Sequence, residues 1–144
     1  VTETQKTQPV SLKSLLTPSK TVGIDFPGMD GFVVKLTYLA REELLKLRNR
    51  SVSQQFNKKT RSYEEQLDND KFLTEYCKAI IKGWSGLKYK YLEELLLVDV
   101  SKQDPNDELP WSQENAELMM KNSGDFDNWV SETVGDLENF TKSK

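Results

Sequence analysis

Phe72, Leu73, Tyr76, Cys77, Ile80, Ile81 and Trp84 recur at helical spacing from Asn69 onward, and this stripe constrains the chain more than any other feature. Residues three and four apart share one helix face, so a stripe this broad has to be covered by other elements. Gly83 and Gly86 stand around its end and predict where the helix stops. A second stripe, Phe126, Trp129, Val130, Thr133, Val134, Leu137 and Phe140, keeps one face for about four turns, with Asp125 as its expected cap. Before it, Ser112 is well placed to start a helix over QENAELMMK that carries Leu118 and Met119 inward until NSGD ends it. The link between these two C-terminal helices is so short that it predicts a helical hairpin or a tight corner.

Upstream the pattern changes. TVGIDF and GFVVKLTYL flank the turn-rich PGMDG and predict two neighbouring strands. An isolated hairpin is marginal in water, so the helices that follow are expected to cover it. AREELLKLRNR predicts a helix with Leu44, Leu45 and Leu47 beside Leu39, acids early and bases late, although Ala40 offers no side-chain cap. SVSQQFNKKTRSY alternates loosely around NKKT and reads as a short exposed hairpin or an excursion loop. YLEELLL predicts a short helix, though its crowded apolar run also fits a strand, and DPND predicts a loop. Ser11 to Leu16 fits one helical turn with Leu12, Leu15 and Leu16 on one side, ended by Pro18. A chain of 144 residues suits a single core. The expected fold class is α+β, mainly α, with a short N-terminal β-hairpin packed against a compact set of about four to five helices. Residues 1–10 are expected to be a disordered tail and residues 11–142 one domain, with a β element over 21–39 and a helical part over 40–142.

Composition excludes several functions. The chain is 36% hydrophobic and 30% charged, and its mean hydropathy is -0.66, values of a soluble protein. No run approaches the roughly 18 apolar residues that cross a bilayer, and VTETQKTQPV lacks the apolar core of a signal peptide, so a cytosolic location is expected. Histidine is absent, which removes catalytic triads, His-based zinc sites and imidazole proton shuttles. Cys77 is the only cysteine, so neither an intramolecular disulfide nor a thiolate metal cluster can form within one chain. Its neighbours in FLTEYCKAII mark it as a small buried hydrophobe rather than a reactive thiol. Asp104, Asp107 and Glu108 cluster in a polar loop that lacks the glycine and the ligand spacing of a calcium loop. No phosphate-binding loop or nucleophile elbow occurs, and GWSG has no histidine partner. The expectation is a protein that is not an enzyme and needs no cofactor and no metal.

Charge is unevenly placed: residues 1–90 hold 16 Lys and Arg against 10 Asp and Glu, and residues 91–144 hold 4 against 13. Such asymmetry marks either two surfaces for different partners or two halves that neutralise each other. Lys46, Arg48, Arg50, Lys58, Lys59 and Arg61, with Phe56 and Tyr63, are the best argument for nucleic acid. The pI of about 5.1 and the nearby Glu64, Glu65, Asp68 and Asp70 favour a solvated face instead. Among the aromatics, Trp84, Trp129 and Phe140 sit on apolar stripes and read as core. Tyr89, Tyr91 and Trp111 stand beside loops and, with Leu87 and Met120, form the candidate protein-binding set.

The order of three segments, IIKGWSGL, ELPWSQENAELMM and DFDNWVSETVGDLENF, resembles the tail assembly chaperones of long-tailed bacteriophages. The likeness runs over about residues 22–142 and is strongest from 70 onward. It rests on Gly83, Trp84, Gly86 and Leu87 at a helix-ending turn, on Pro110, Trp111 and Ser112 at the next helix start, and on Trp129, Asp136, Leu137 and Phe140 in the last helix. The intervening KYKYLEELLLVDVSKQDPNDE is longer than a minimal member would carry. The resemblance implies a non-enzymatic assembly factor that binds the tape measure protein, keeps it soluble and helps bring tail tube subunits to it. It also implies a longer frameshifted form whose extension recruits the tail tube protein, which an end such as TKSK would accept. On this reading the protein works in the host cytoplasm and is absent from the mature virion, with no nucleic-acid or membrane partner. The rival readings are a structural or baseplate-assembly protein of the virion and a small nucleic-acid-binding regulator.

Overall fold

The structure, a computed structural model, describes residues 9–141, so the expected N-terminal tail falls outside the described residues except for Pro9 and Val10. Ser11 caps a short helix, α1 (Leu12–Leu15), in which no residue is buried. Two strands follow, β1 (Ser19–Asp25), whose Val22 and Ile24 face inward, and β2 (Val33–Leu39), which buries Val34 and Leu36. The two strands pair antiparallel from Ser19 opposite Leu39 to Asp25 opposite Val33. Their connection folds inward rather than turning in solvent. Phe26, Met29 and Phe32 are buried, and the Phe26 N–H donates to the Phe32 carbonyl at 2.9 Å.

After Ala40 the chain enters α2 (Arg41–Arg50), an uncapped helix in which Leu47 is the buried residue. A hairpin follows, β3 (Val52–Asn57) with β4 (Ser62–Leu67), forming a two-stranded sheet of its own. Asp68 then caps α3 (Asn69–Ile80) by accepting from the Lys71 N–H. The first apolar stripe does not stay helical. At Ile81 the chain passes into β5 (Ile81–Ser85), which pairs with β2 and completes a three-stranded sheet ordered β1-β2-β5. A bulge in β5 at Lys82, opposite the step from Lys35 to Leu36, sets Ile81 opposite Leu36 and Trp84 opposite Val34. In an unbroken strand, positions three apart face opposite sides; the extra residue restores a common face, so both side chains reach the core. A spacing that reads as helical is thus satisfied by a bulged strand.

The remainder holds α4 (Tyr89–Leu95), α5 (Gln113–Asn122), α6 (Gly124–Val134) and α7 (Glu138–Thr141). Ser112 caps α5 as expected, accepting from the Asn115 N–H at 3.0 Å. The cap of α6 is Ser123 and not Asp125: its buried hydroxyl accepts from the Phe126 N–H at 3.1 Å, leaving Asp125 to face the helix dipole from the first turn. The second stripe is cut at Gly135 and Asp136, so Phe140 reaches the core from the separate α7.

The expected fold class is corrected accordingly. The described residues contain seven helices and two antiparallel sheets, in place of one N-terminal hairpin beneath four to five helices. Three of the five strands lie within residues 40–142, the part read as helical: β3 and β4 form the hairpin that SVSQQFNKKTRSY allowed, and β5 replaces the end of an expected helix. The core gathers where the central sheet meets α3 and α6. There Phe26, Phe32 and Phe126 stack with centroids 5.4 to 6.5 Å apart, and Trp84 meets Phe32 and Phe126 edge-on at 6.4 Å. Burial of each such ring contributes about 1.5–3 kcal/mol before its geometry is counted.

Candidate protein-binding surfaces

The five residues named as a binding set separate on folding. Leu87 and Met120 are buried, and Tyr91 is 9% exposed with its hydroxyl donating to the Asp30 carbonyl at 2.7 Å. They belong to the core, which corrects the binding role expected for them. The cause lies in how the 88–109 insertion closes. The Leu109 N–H donates to the Leu87 carbonyl at 2.8 Å, the Tyr89 N–H to Asp107 at 2.9 Å and the Trp84 indole to the Leu109 carbonyl at 3.0 Å. The insertion therefore leaves and re-enters the body at one point, and the residues beside its mouth are enclosed. Tyr89 is half-buried against the core, and Trp111 at 36% exposure stays open to solvent.

The motif residues divide in the same way. Gly83 lies in β5 opposite Lys35 and does not end a helix. Gly86 has a φ of +77°, and a Cβ there would collide with the carbonyl of Gly31, so glycine is required where the two turns meet. Its N–H donates to a Glu108 carboxylate oxygen at 2.9 Å. The exposed Pro110 offers its carbonyl to the Asn115 side chain. Trp129, half-buried, meets the Phe26 ring at 4.7 Å, and Phe140 is buried against Tyr38 at 5.5 Å. Leu137 is exposed.

Apolar surface accumulates elsewhere. Leu44 and Leu45 on α2, Phe72 and Tyr76 on α3, and Arg48 and Ser131 line an open groove of about 370 Å³. Through Leu44, Tyr76 and Ser131 it continues into a smaller hollow of about 220 Å³ bounded by Leu39, Ile80 and Val134. The Phe72 and Tyr76 rings stack at 5.4 Å, one helical turn apart, and fix that wall. Burial pushes the Tyr76 phenol above its ordinary pKa, so the hydroxyl stays neutral at the groove. Beneath this wall Cys77 is buried, and desolvation, reinforced by Glu117, pushes its pKa up to about 12. A thiol so protected is not a nucleophile at neutral pH.

Sequence reasoning assigned Phe72 and Tyr76 to the core and passed over Leu44 and Leu45. The signal was present: a ten-residue helix needs one apolar face, and α2 carries three leucines of which Leu47 alone is buried. The basic group also divides. Lys46 is paired with Glu42 and Glu43, and Arg50 with Glu75, on the flank of α2, whereas Lys58, Lys59 and Arg61 stand at the tip of the β3–β4 hairpin. The described residues contain no group of three or more Cys, Asp or Glu side chains placed to hold a metal ion, and no helix long and apolar enough to cross a membrane.

A family model described as YdaY prophage protein matches residues 37–144, which takes in the groove, the hairpin and every element from the end of β2 onward. No curated protein and no solved structure matches the chain.

Proposed function

The chain belongs to the YdaY prophage protein family, and on that premise we propose that it is a non-catalytic phage tail assembly chaperone acting in the host cytoplasm. Its client is the tape measure protein, which it keeps soluble while tail tube subunits are recruited. The observation that carries this reading is the groove of Leu44, Leu45, Phe72 and Tyr76. An amphipathic helix presents apolar anchors at positions i, i+3, i+4 and i+7, and a groove walled by two helices accepts them. Arg48 at the rim supplies a partner for a client carboxylate. The resemblance in the order of the GW-containing turn, the Pro-Trp-Ser helix start and the final helix supports the same role.

Co-expression with the tape measure gene of the same phage, followed by affinity purification, tests the proposal. The client is expected to be soluble and retained with the wild-type chain. Leu45→Glu is expected to lower retention about tenfold or more while leaving the melting temperature in place, because Leu45 is exposed. An insoluble or unretained tape measure protein rejects the chaperone reading. Retention that Leu45→Glu leaves intact rejects the groove. Mass spectrometry of purified particles gives a separate decision: stoichiometric presence in the virion would identify a structural protein instead.

A further inference from the structure

The β3–β4 hairpin contributes nothing to the core. Its strands pair only with each other, from Val52 opposite Leu67 to Asn57 opposite Ser62. A two-stranded hairpin standing alone is marginal in water, yet this one is finished with care at its tip. The Asn57 side-chain oxygen accepts from the N–H groups of Lys59 at 2.9 Å and Thr60 at 3.3 Å, while its amide donates to Glu64 at 3.0 Å. The Arg61 N–H closes on the Asn57 carbonyl at 2.7 Å. Arg61 itself has a φ of 57°, a left-handed position that glycine occupies without strain and arginine does not. The turn holds a cation where its backbone favours none, and strain held in this way points to a role for the side chain.

Three exposed cations, Lys58, Lys59 and Arg61, crown the hairpin. Just below them Phe56, 52% exposed, and Tyr63, 70% exposed, pack edge to face at 5.3 Å. A basic tip above an aromatic clasp fits a surface that is acidic at its rim and apolar at its floor. The chain carries such a surface. An open cleft of about 440 Å³ between α3 and α5 has Asp70, Glu114 and Glu117, three carboxylates against the single cation Lys121, around Leu73 and the exposed Leu118. Its α5 wall belongs to residues 91–144, in which acids outnumber bases 13 to 4.

We propose that the β3–β4 hairpin docks in the α3–α5 cleft of a second copy of this chain. The contact cannot close within one molecule. Asp68 is bonded to Ser51 at the hairpin's root and α3 starts at the next residue, so the cleft beside Asp70 lies at the base. The tip projects about 20 Å from that base along six-residue strands. Tip and cleft are different surfaces, so two copies either exchange hairpins in a closed dimer or associate head to tail in a longer assembly. Nucleic acid fits the tip less well than this partner, because Glu64 and Glu65 lie on the strand behind it.

Sedimentation velocity of the full chain at low ionic strength, over a concentration series, tests the inference. The sedimentation coefficient is expected to rise with concentration and to fall back as salt screens the contact. Lys58→Glu with Lys59→Glu is expected to weaken association about tenfold or more, and Arg61→Gly to weaken it while leaving the melting temperature unchanged or raised. Joining Glu114→Lys to the doubly reversed tip in one chain is expected to restore association in part. A monomer at every concentration in low salt overturns the proposal, as does association that the tip variants leave unchanged or that the combined variant fails to recover. Salt-sensitive binding of a single-stranded oligonucleotide through the tip, without self-association, also overturns it. None of these outcomes depends on the groove or on the tape measure protein.

Discussion

The sheet-and-helix body and the β3–β4 hairpin are both made of antiparallel strands, and they are held together by opposite means. In the body, β2 is flanked on both sides and buries Val34 and Leu36 beneath α3 and α6, and three phenylalanines with Trp84 form a continuous ring cluster. In the hairpin, cross-strand bonds, the Asn57 turn and one aromatic pair are the means, all of them local and open to water. Stability resides where side chains are enclosed, and surface for partners resides where they are not. Substitutions of enclosed body residues should therefore act through folding, whereas substitutions on the hairpin, like those at exposed body positions such as Leu45, should act through contacts.

The largest expected effect comes from opening the body. Phe126→Ala empties the meeting point of the ring cluster and is expected to cost about 3–5 kcal/mol in denaturant unfolding; a loss under about 1 kcal/mol would mean that the cluster is not the centre of stability. A smaller break lies at the corner between α5 and α6. Ser123→Ala leaves the Phe126 N–H without its acceptor in a buried setting and is expected to cost about 1–2 kcal/mol by the same measurement. Smallest of all should be Phe56→Ala on the hairpin, with a change within about 0.5 kcal/mol. Amide exchange should then quicken in residues 52–67 and stay slow in β2. A global loss comparable to that of Phe126→Ala would show that the hairpin belongs to the body after all.

Much of this division was legible in the residues. The apolar stripe from Phe72, the helix start at Ser112 and the turn-rich PGMDG each occupy the kind of element their spacing and caps indicate, because those signals are local and act through backbone geometry. Two features escaped for one reason. Ile81 and Trp84 prolong the helical spacing of α3, and a bulge in β5, visible only with β2 beside it, lets a strand satisfy that same spacing. Tyr91, Leu87 and Met120 resembled surface residues because they flank loops, and the closing of the 88–109 insertion on Leu87 buried them. The exposed groove lies partly on residues whose spacing had argued for burial, since periodicity reports a shared face and not what covers it.

By itself the sequence determined part of the local repertoire: the helix start at Ser112, the turn-rich link between β1 and β2, the body of α3, and that no imidazole or second thiol is present for chemistry. Tertiary structure alone decided that the end of the first stripe would become the third strand of a sheet, which aromatics would be sealed in, and which leucines would be left facing water. Local propensities act within a few residues along the chain. Strand pairing, a bulge register and burial depend on segments far apart in sequence, and they are settled only when those segments meet.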